Sequence, residues 1–133
     1  MATSAQYAAT PRVGSATLTT GDTSLTTPST VSTVLSAGAS GTRIDYINIT
    51  GVASTTASLV NLFIYDGINY ILWQQVPVIA ITSGTTTPTF AAYLSSNGNA
   101  NFMPLLLPTG YSLRATVTVT QTGVRVTASG GDF

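Results

Sequence analysis

Eight side chains in this chain carry formal charge: Asp22, Asp45, Asp66 and Asp132, balanced by Arg12, Arg43, Arg114 and Arg125. Lys, Glu, His and Cys are absent. Without His or Cys there is no Ser-His-Asp or Cys-His arrangement, and no usual donor set for zinc, haem or an iron–sulfur cluster. Without Lys there is no Schiff-base nucleophile, and without Glu most acid–base pairs are gone. Glycosidases work with two carboxylates flanking the scissile bond. Here Asp22 and Asp66 fall in turns, Asp45 inside a strand-like run and Asp132 at the tail, so no short spacing projects two of them together. No Asp-rich loop offers a calcium site, and the glycine pair Gly38 and Gly41 lacks the following Lys of a phosphate loop. The expectation is a protein without catalytic residues, metal or cofactor.

Side chains suited to binding are easier to find. Tyr70 and the run Trp73-Gln74-Gln75 set aromatic rings beside amides, a combination that stacks on and hydrogen-bonds sugars. The alternative is that Trp73 belongs to a core or a subunit interface. Arg43, Arg114 and Arg125 are each able to hold a carboxylate, or else to pair with an Asp or face solvent. Arg is the cation most enriched in protein interfaces. Tyr70, Trp73, Arg43, Arg114, Arg125 and the terminal Phe133 are therefore the candidate interface residues.

The elements that must position them read as strands. Thr, Val, Ile, Tyr and Phe recur, and Gly, Pro, Asn and Asp interrupt them at intervals of about 8–12 residues, the spacing of sandwiches and barrels. Tyr111, Leu113, Ala115, Val117 and Val119 alternate with Ser112, Arg114, Thr116, Thr118 and Thr120, which predicts one core face and one face that is wet or meets a partner. Residues 124–128 alternate likewise after Gln121-Thr122-Gly123, predicting a second hairpin with Arg114 and Arg125 on polar faces. Residues 58–65 and 68–76 are apolar on both faces and are separated by Asp66-Gly67, the signal for a type I′ hairpin placed centrally, with Pro77 ending its second strand. In residues 42–50, Ile44 and Tyr46 share one parity and Ile47 and Ile49 the other. That switch predicts a bulge or a strand covered on both sides. Residues 99–107 read as a short apolar strand or covering loop after an Asn97-Gly98 turn.

Together these runs predict an all-β chain: a single-domain antiparallel β-sandwich, jelly-roll-like, with about eight strands over residues 12–133. Residues 1–11 read as an extended N-terminal arm ending at Pro11. The length of 133 residues fits one domain. No apolar run reaches the roughly 18 residues of a membrane helix, and the N-terminus lacks the basic and apolar regions of a signal peptide. Zero net charge without Lys argues against nucleic acid as a partner. With 44% hydrophobic residues the chain is able to bury a core. A neutral surface is either kept soluble by hydroxyls, of which Ser and Thr supply 39, or buried in an assembly, since no net repulsion separates copies.

From Gly41 to Phe133 the chain resembles small proteins encoded among the structural genes of tailed bacteriophages and prophages. The matching stretches are Gly41-Thr-Arg-Ile-Asp45, Val60-Asn-Leu-Phe-Ile-Tyr-Asp-Gly67, Leu107-Pro-Thr-Gly-Tyr-Ser-Leu-Arg-Ala115 and Gly130-Gly-Asp-Phe133. The resemblance implies a virion component with a β-sandwich fold, often trimeric, and brings no catalytic residues with it. The expected function is a non-enzymatic head decoration, or cement, protein that binds the major capsid protein lattice as an oligomer and stabilises it. The alternative is a tail or spike module that binds host surface glycan through Trp73 and Tyr70. The expected location is the capsid surface of a virion made in a bacterial cytoplasm.

Overall fold

The computed structural model describes residues 10–95 and 104–133. Among them are nine strands and no helix: β1 (Thr10–Leu18), β2 (Ser32–Ser36), β3 (Thr42–Gly51), β4 (Ser58–Tyr65), β5 (Tyr70–Val78), β6 (Ala91–Ser95), β7 (Leu105–Leu107), β8 (Ser112–Val117) and β9 (Val124–Asp132). They build two sheets. In the first the order is β1-β9-β3-β6, with β7 also on β3; in the second it is β2-β8-β4-β5. Every strand pairing is antiparallel. The pairings nest: β1 with β9, β2 with β8, β3 with β6 and β7, β4 with β5. Such a long folded ribbon, rolled so that β9 lies against β3 and β8 against β4, is a jelly roll. The all-β sandwich expected from the alternation is therefore the fold observed, with β7 as the ninth strand.

The core lies between the sheets. Alternation sends Val60 and Leu62 of β4 and Leu113, Ala115 and Val117 of β8 inward, to meet Ile47 and Ile49 of β3 and Val124, Val126 and Ala128 of β9. All of these are fully buried. Removing that apolar surface from water, at about 25 cal/mol per Å², is the main force holding the two layers together.

Several local expectations change in the structure. β8 and β9 do not form a hairpin: β8 sits between β2 and β4, and β9 between β1 and β3. Residues 118–123 carry the chain around a corner from one sheet to the other, so Arg114 and Arg125 stand on different sheets. The loop after β4 spans residues 66–69, with Tyr65 paired to Tyr70. A type I′ turn needs positive φ at both central residues; only Gly67, at φ 101°, has it. The loop is held instead by the Asp66 carboxylate, whose Oδ1 accepts the N–H groups of Ile68 at 2.9 Å and Asn69 at 2.7 Å. Pro77 lies within β5 and does not end it. β5 is an edge strand, where a residue lacking an N–H is tolerated, so of the expected central hairpin only β4 is central.

β3 contains a bulge, between Ile44 and Tyr46 against β9. Asp45 is the extra residue, and it resets the parity so that Ile44, Ile47 and Ile49 all face the core while Tyr46 turns outward. Gly130 stands opposite Ile44 at this point. A Cβ there would collide with the Arg43 carbonyl oxygen and lie 2.9 Å from Ile44 Cα, so only glycine permits the approach. Thr10 and Pro11 belong to β1, paired with Asp132 and Gly131. The remainder of the arm, residues 1–9, and the Asn97-Gly98 turn lie outside the described residues.

Candidate functional site

The outward face of the β2-β8-β4-β5 sheet brings Phe63, Tyr65 and Tyr70 together with Arg114. Because Val60 and Leu62 point inward, Asn61, Phe63 and Tyr65 point outward. The register sets Phe63 opposite Arg114 and Tyr65 opposite Ser112 on one side, and Tyr65 opposite Tyr70 on the other. The Arg114 guanidinium carbon lies 4.1 Å from the Tyr65 ring centroid and 5.8 Å from that of Tyr70. The two tyrosine rings are 4.4 Å apart at 33°, and Phe63, fully buried, meets Tyr70 edge-on at 5.9 Å.

Arg114 is held at both ends of its head group. Its Nε donates to Ser112 Oγ at 3.0 Å, and its Nη1 donates to Tyr70 Oη at 3.1 Å. The Tyr65 hydroxyl donates to the Gly67 carbonyl at 2.9 Å, which anchors the ring under the guanidinium. A cation over an aromatic face contributes about 0.5–1 kcal/mol at exposed sites and more where desolvated. Further along the same face Gln75 Nε2 donates to Asn61 Oδ1 at 2.8 Å. Asn61 Nδ2 and Thr116 Oγ1, on residues that sit opposite each other, are buried without a hydrogen-bond partner.

The carboxylates are committed elsewhere. Asp132 accepts the Thr42 hydroxyl at 2.6 Å and Arg12 Nη1 at 2.8 Å, tying β1, β3 and β9 together. Arg12 also reaches the Ser36 carbonyl on β2. Asp22 accepts the N–H groups of Thr30 and Ser29 at 2.8 Å and Ser24 at 3.0 Å, and so closes the hydroxyl-rich loop after β1. Asp45 pairs with Arg43 at 2.6 Å. Hydrogen bonds lower three of these carboxyl groups: Asp22 chiefly from the Thr30 N–H, Asp66 from the Asn69 N–H and Asp132 from the Thr42 hydroxyl and then Arg12. Each Asp thus has a local structural task, and no two converge on a shared cleft.

The candidate interface residues do not gather into one patch. Tyr70 and Arg114 meet as described. Trp73 is the unmatched residue of a bulge in β5 and packs, half-buried, against the inter-sheet core. It therefore does not share a face with Tyr70, and the two do not form a platform. Arg43 lies on the outer face of the other sheet with Asp45. Arg125 is on that face too, with its Nε donating to Thr17 Oγ1 at 3.3 Å. Phe133 is half-buried, its N–H bonded to the Gly41 carbonyl at 3.2 Å. Sequence patterning did not single out Tyr65. Its place is set by the four-residue loop, which pairs it with Tyr70. Tyr46 and Tyr93, stacked at 5.9 Å on the outer face of the first sheet, were likewise not anticipated. No protein-family model matches this chain, and no curated protein does.

Proposed function

We propose that this protein is a non-enzymatic structural component of a bacteriophage virion: a head decoration protein that binds the major capsid protein lattice as a homo-oligomer, a trimer in the simplest case, and stabilises it. The observation that carries the reading is the surface. Large apolar side chains stand in solvent on both sheets and at the loops, among them Ile68 at 83%, Val13 at 71% and Tyr93 at 65% exposure. Only eight charges accompany them. Each such side chain adds apolar area to a contact that covers it. The jelly roll also occurs in viral capsid proteins and in lectins, so the fold by itself is compatible with the role without specifying it.

The mechanism is added contact area. Each copy would bridge adjacent capsid subunits through interfaces of about 800 Å² per partner, raising the free energy needed to open the lattice. Electron microscopy of virions carrying a labelled copy tests this directly. Label distributed over the head is the expected result; label confined to the tail tip, or no incorporation, overturns it.

A further inference from the structure

The chain's charges do not all pair off internally. Its acidic side chains are four Asp, with no Glu. Asp45 and Asp132 hold Arg43 and Arg12, while Asp22 and Asp66 are filled by backbone N–H groups. Residues 1–9 and 96–103 contain no acidic side chain. Arg114 consequently has hydroxyl and aromatic partners but no carboxylate. Among the described residues, two of its five N–H groups are used, by Ser112 and Tyr70. The others lie on Nη1 and Nη2, along the edge that fits a carboxylate in bidentate fashion. The two hydrogen bonds and the position over the Tyr65 ring hold the head group in advance, so less rotamer freedom remains to be lost when a ligand arrives.

We propose that Arg114, oriented by Tyr65, Tyr70 and Ser112, is a docking point for the carboxylate of an Asp or Glu side chain on a different protein. A second copy of this chain is a poor donor, because its four Asp side chains are already engaged. An acidic sugar is disfavoured as well. The guanidinium lies over one face of the Tyr65 ring, 4.1 Å from its centroid, and Tyr70 is flanked by Tyr65 and Phe63, which narrows the room for a pyranose to stack. The identity of the partner as a capsid protein rests on the function proposed above; carboxylate recognition rests on the side chains alone.

The test uses the whole protein labelled with nitrogen-15, following the Arg Nε–Hε signals. Arg125, which also lacks a carboxylate partner, serves as the internal comparison. Three probes are titrated: a blocked hexaglutamate peptide, a blocked hexaglutamine peptide and oligogalacturonate. Hexaglutamate should shift Arg114 and the Tyr65 and Tyr70 ring signals saturably in the millimolar range, at least about fivefold more tightly than Arg125. Hexaglutamine should leave them in place. Arg114→Lys, which keeps the charge and loses the fork, should weaken the peptide at least about fivefold with an unchanged circular dichroism spectrum. Tyr70→Phe, which removes one positioning bond and little volume, should weaken it less. An Arg114 signal that does not move, moves with Arg125, or follows oligogalacturonate more tightly than the peptide overturns the proposal. So does unweakened peptide binding by Arg114→Lys, or by Tyr70→Phe should the lysine variant not fold. Peptide binding by a protein that never decorates heads would leave the site standing and remove the decoration role. Heads decorated equally by Arg114→Lys would leave the decoration role standing and remove the capsid protein as the partner of this site.

Discussion

Two threonines show how the same side chain acts with opposite sign. Thr42 is fully buried, donates to Asp132 and accepts the Gly38 N–H at 2.8 Å. Thr116 is equally buried, but its hydroxyl has no partner. An unpaired buried hydroxyl costs free energy that an apolar group of the same shape does not. Thr116→Val should therefore hold stability or raise it by about 1 kcal/mol, whereas Thr42→Val should lower the melting temperature; thermal unfolding of the two variants checks the ordering. The carboxylates govern the acid limit. Asp22, Asp66 and Asp132 are all held below the ordinary value of 3.8. A depressed folded-state pKa stabilises above the unfolded value, and that contribution is lost as pH falls through the folded one. The melting temperature should stay level from about pH 5 to 8 and fall below about pH 4, as these three carboxylates take up protons. Asp132→Asn should flatten part of that fall, since Asn cannot lose the charge that Thr42 and Arg12 bind.

At the scale of single strands, the bulges decide what each strand presents. The β3 bulge requires backbone contact between Gly130 and Arg43. Gly130→Ala must push β9 away from β3 and should destabilise by at least about 2 kcal/mol, in the range of an overpacked core; urea unfolding measures it. In β5 the bulge turns Trp73 toward the core at an edge strand, where it is only half-buried. Truncating a fully buried aromatic costs about 3–5 kcal/mol. Trp73→Ala should cost less, about 1–3 kcal/mol, and the native emission maximum should lie between those of buried and fully exposed tryptophan. A red-shifted maximum with an unaffected fold would show an open ring and restore Trp73 as a binding residue.

For the molecule as a whole, the expectation is self-association that resists salt. Contacts between such surfaces are mostly apolar and hydroxyl-mediated, and screening reaches them little. Light scattering at tens of micromolar should give a mass well above the 13.6 kDa of one chain, with no dissociation between about 0.05 and 0.5 M salt. A monomer throughout would remove the support for an oligomer. Dissociation by salt would shift the weight from apolar contact to ion pairs.

Strand alternation is a property of consecutive residues, and that is why so much of the sandwich is legible in the sequence. Ser112 to Val117 shows its inward and outward faces in its own order of residues, as do Val124, Val126 and Ala128. The absence of His, Cys, Lys and Glu likewise removes the side chains of those types from any site by composition alone. Pairing is different in kind, because it is settled by contacts distant in sequence. Nothing between Thr118 and Gly123 announces a corner between sheets; the chain turns there because β8 and β9 bury their apolar faces from opposite sides of one core. The same holds for the candidate site. Arg43 finds Asp45 two residues away. Arg12 meets Asp132 across 120 positions, and Arg114 reaches Tyr65 and Tyr70 only because β4 is registered between β8 and β5. Composition told that the four Asp and four Arg balance; only the folded chain decided that Arg114 and Arg125 would be the two left without a carboxylate.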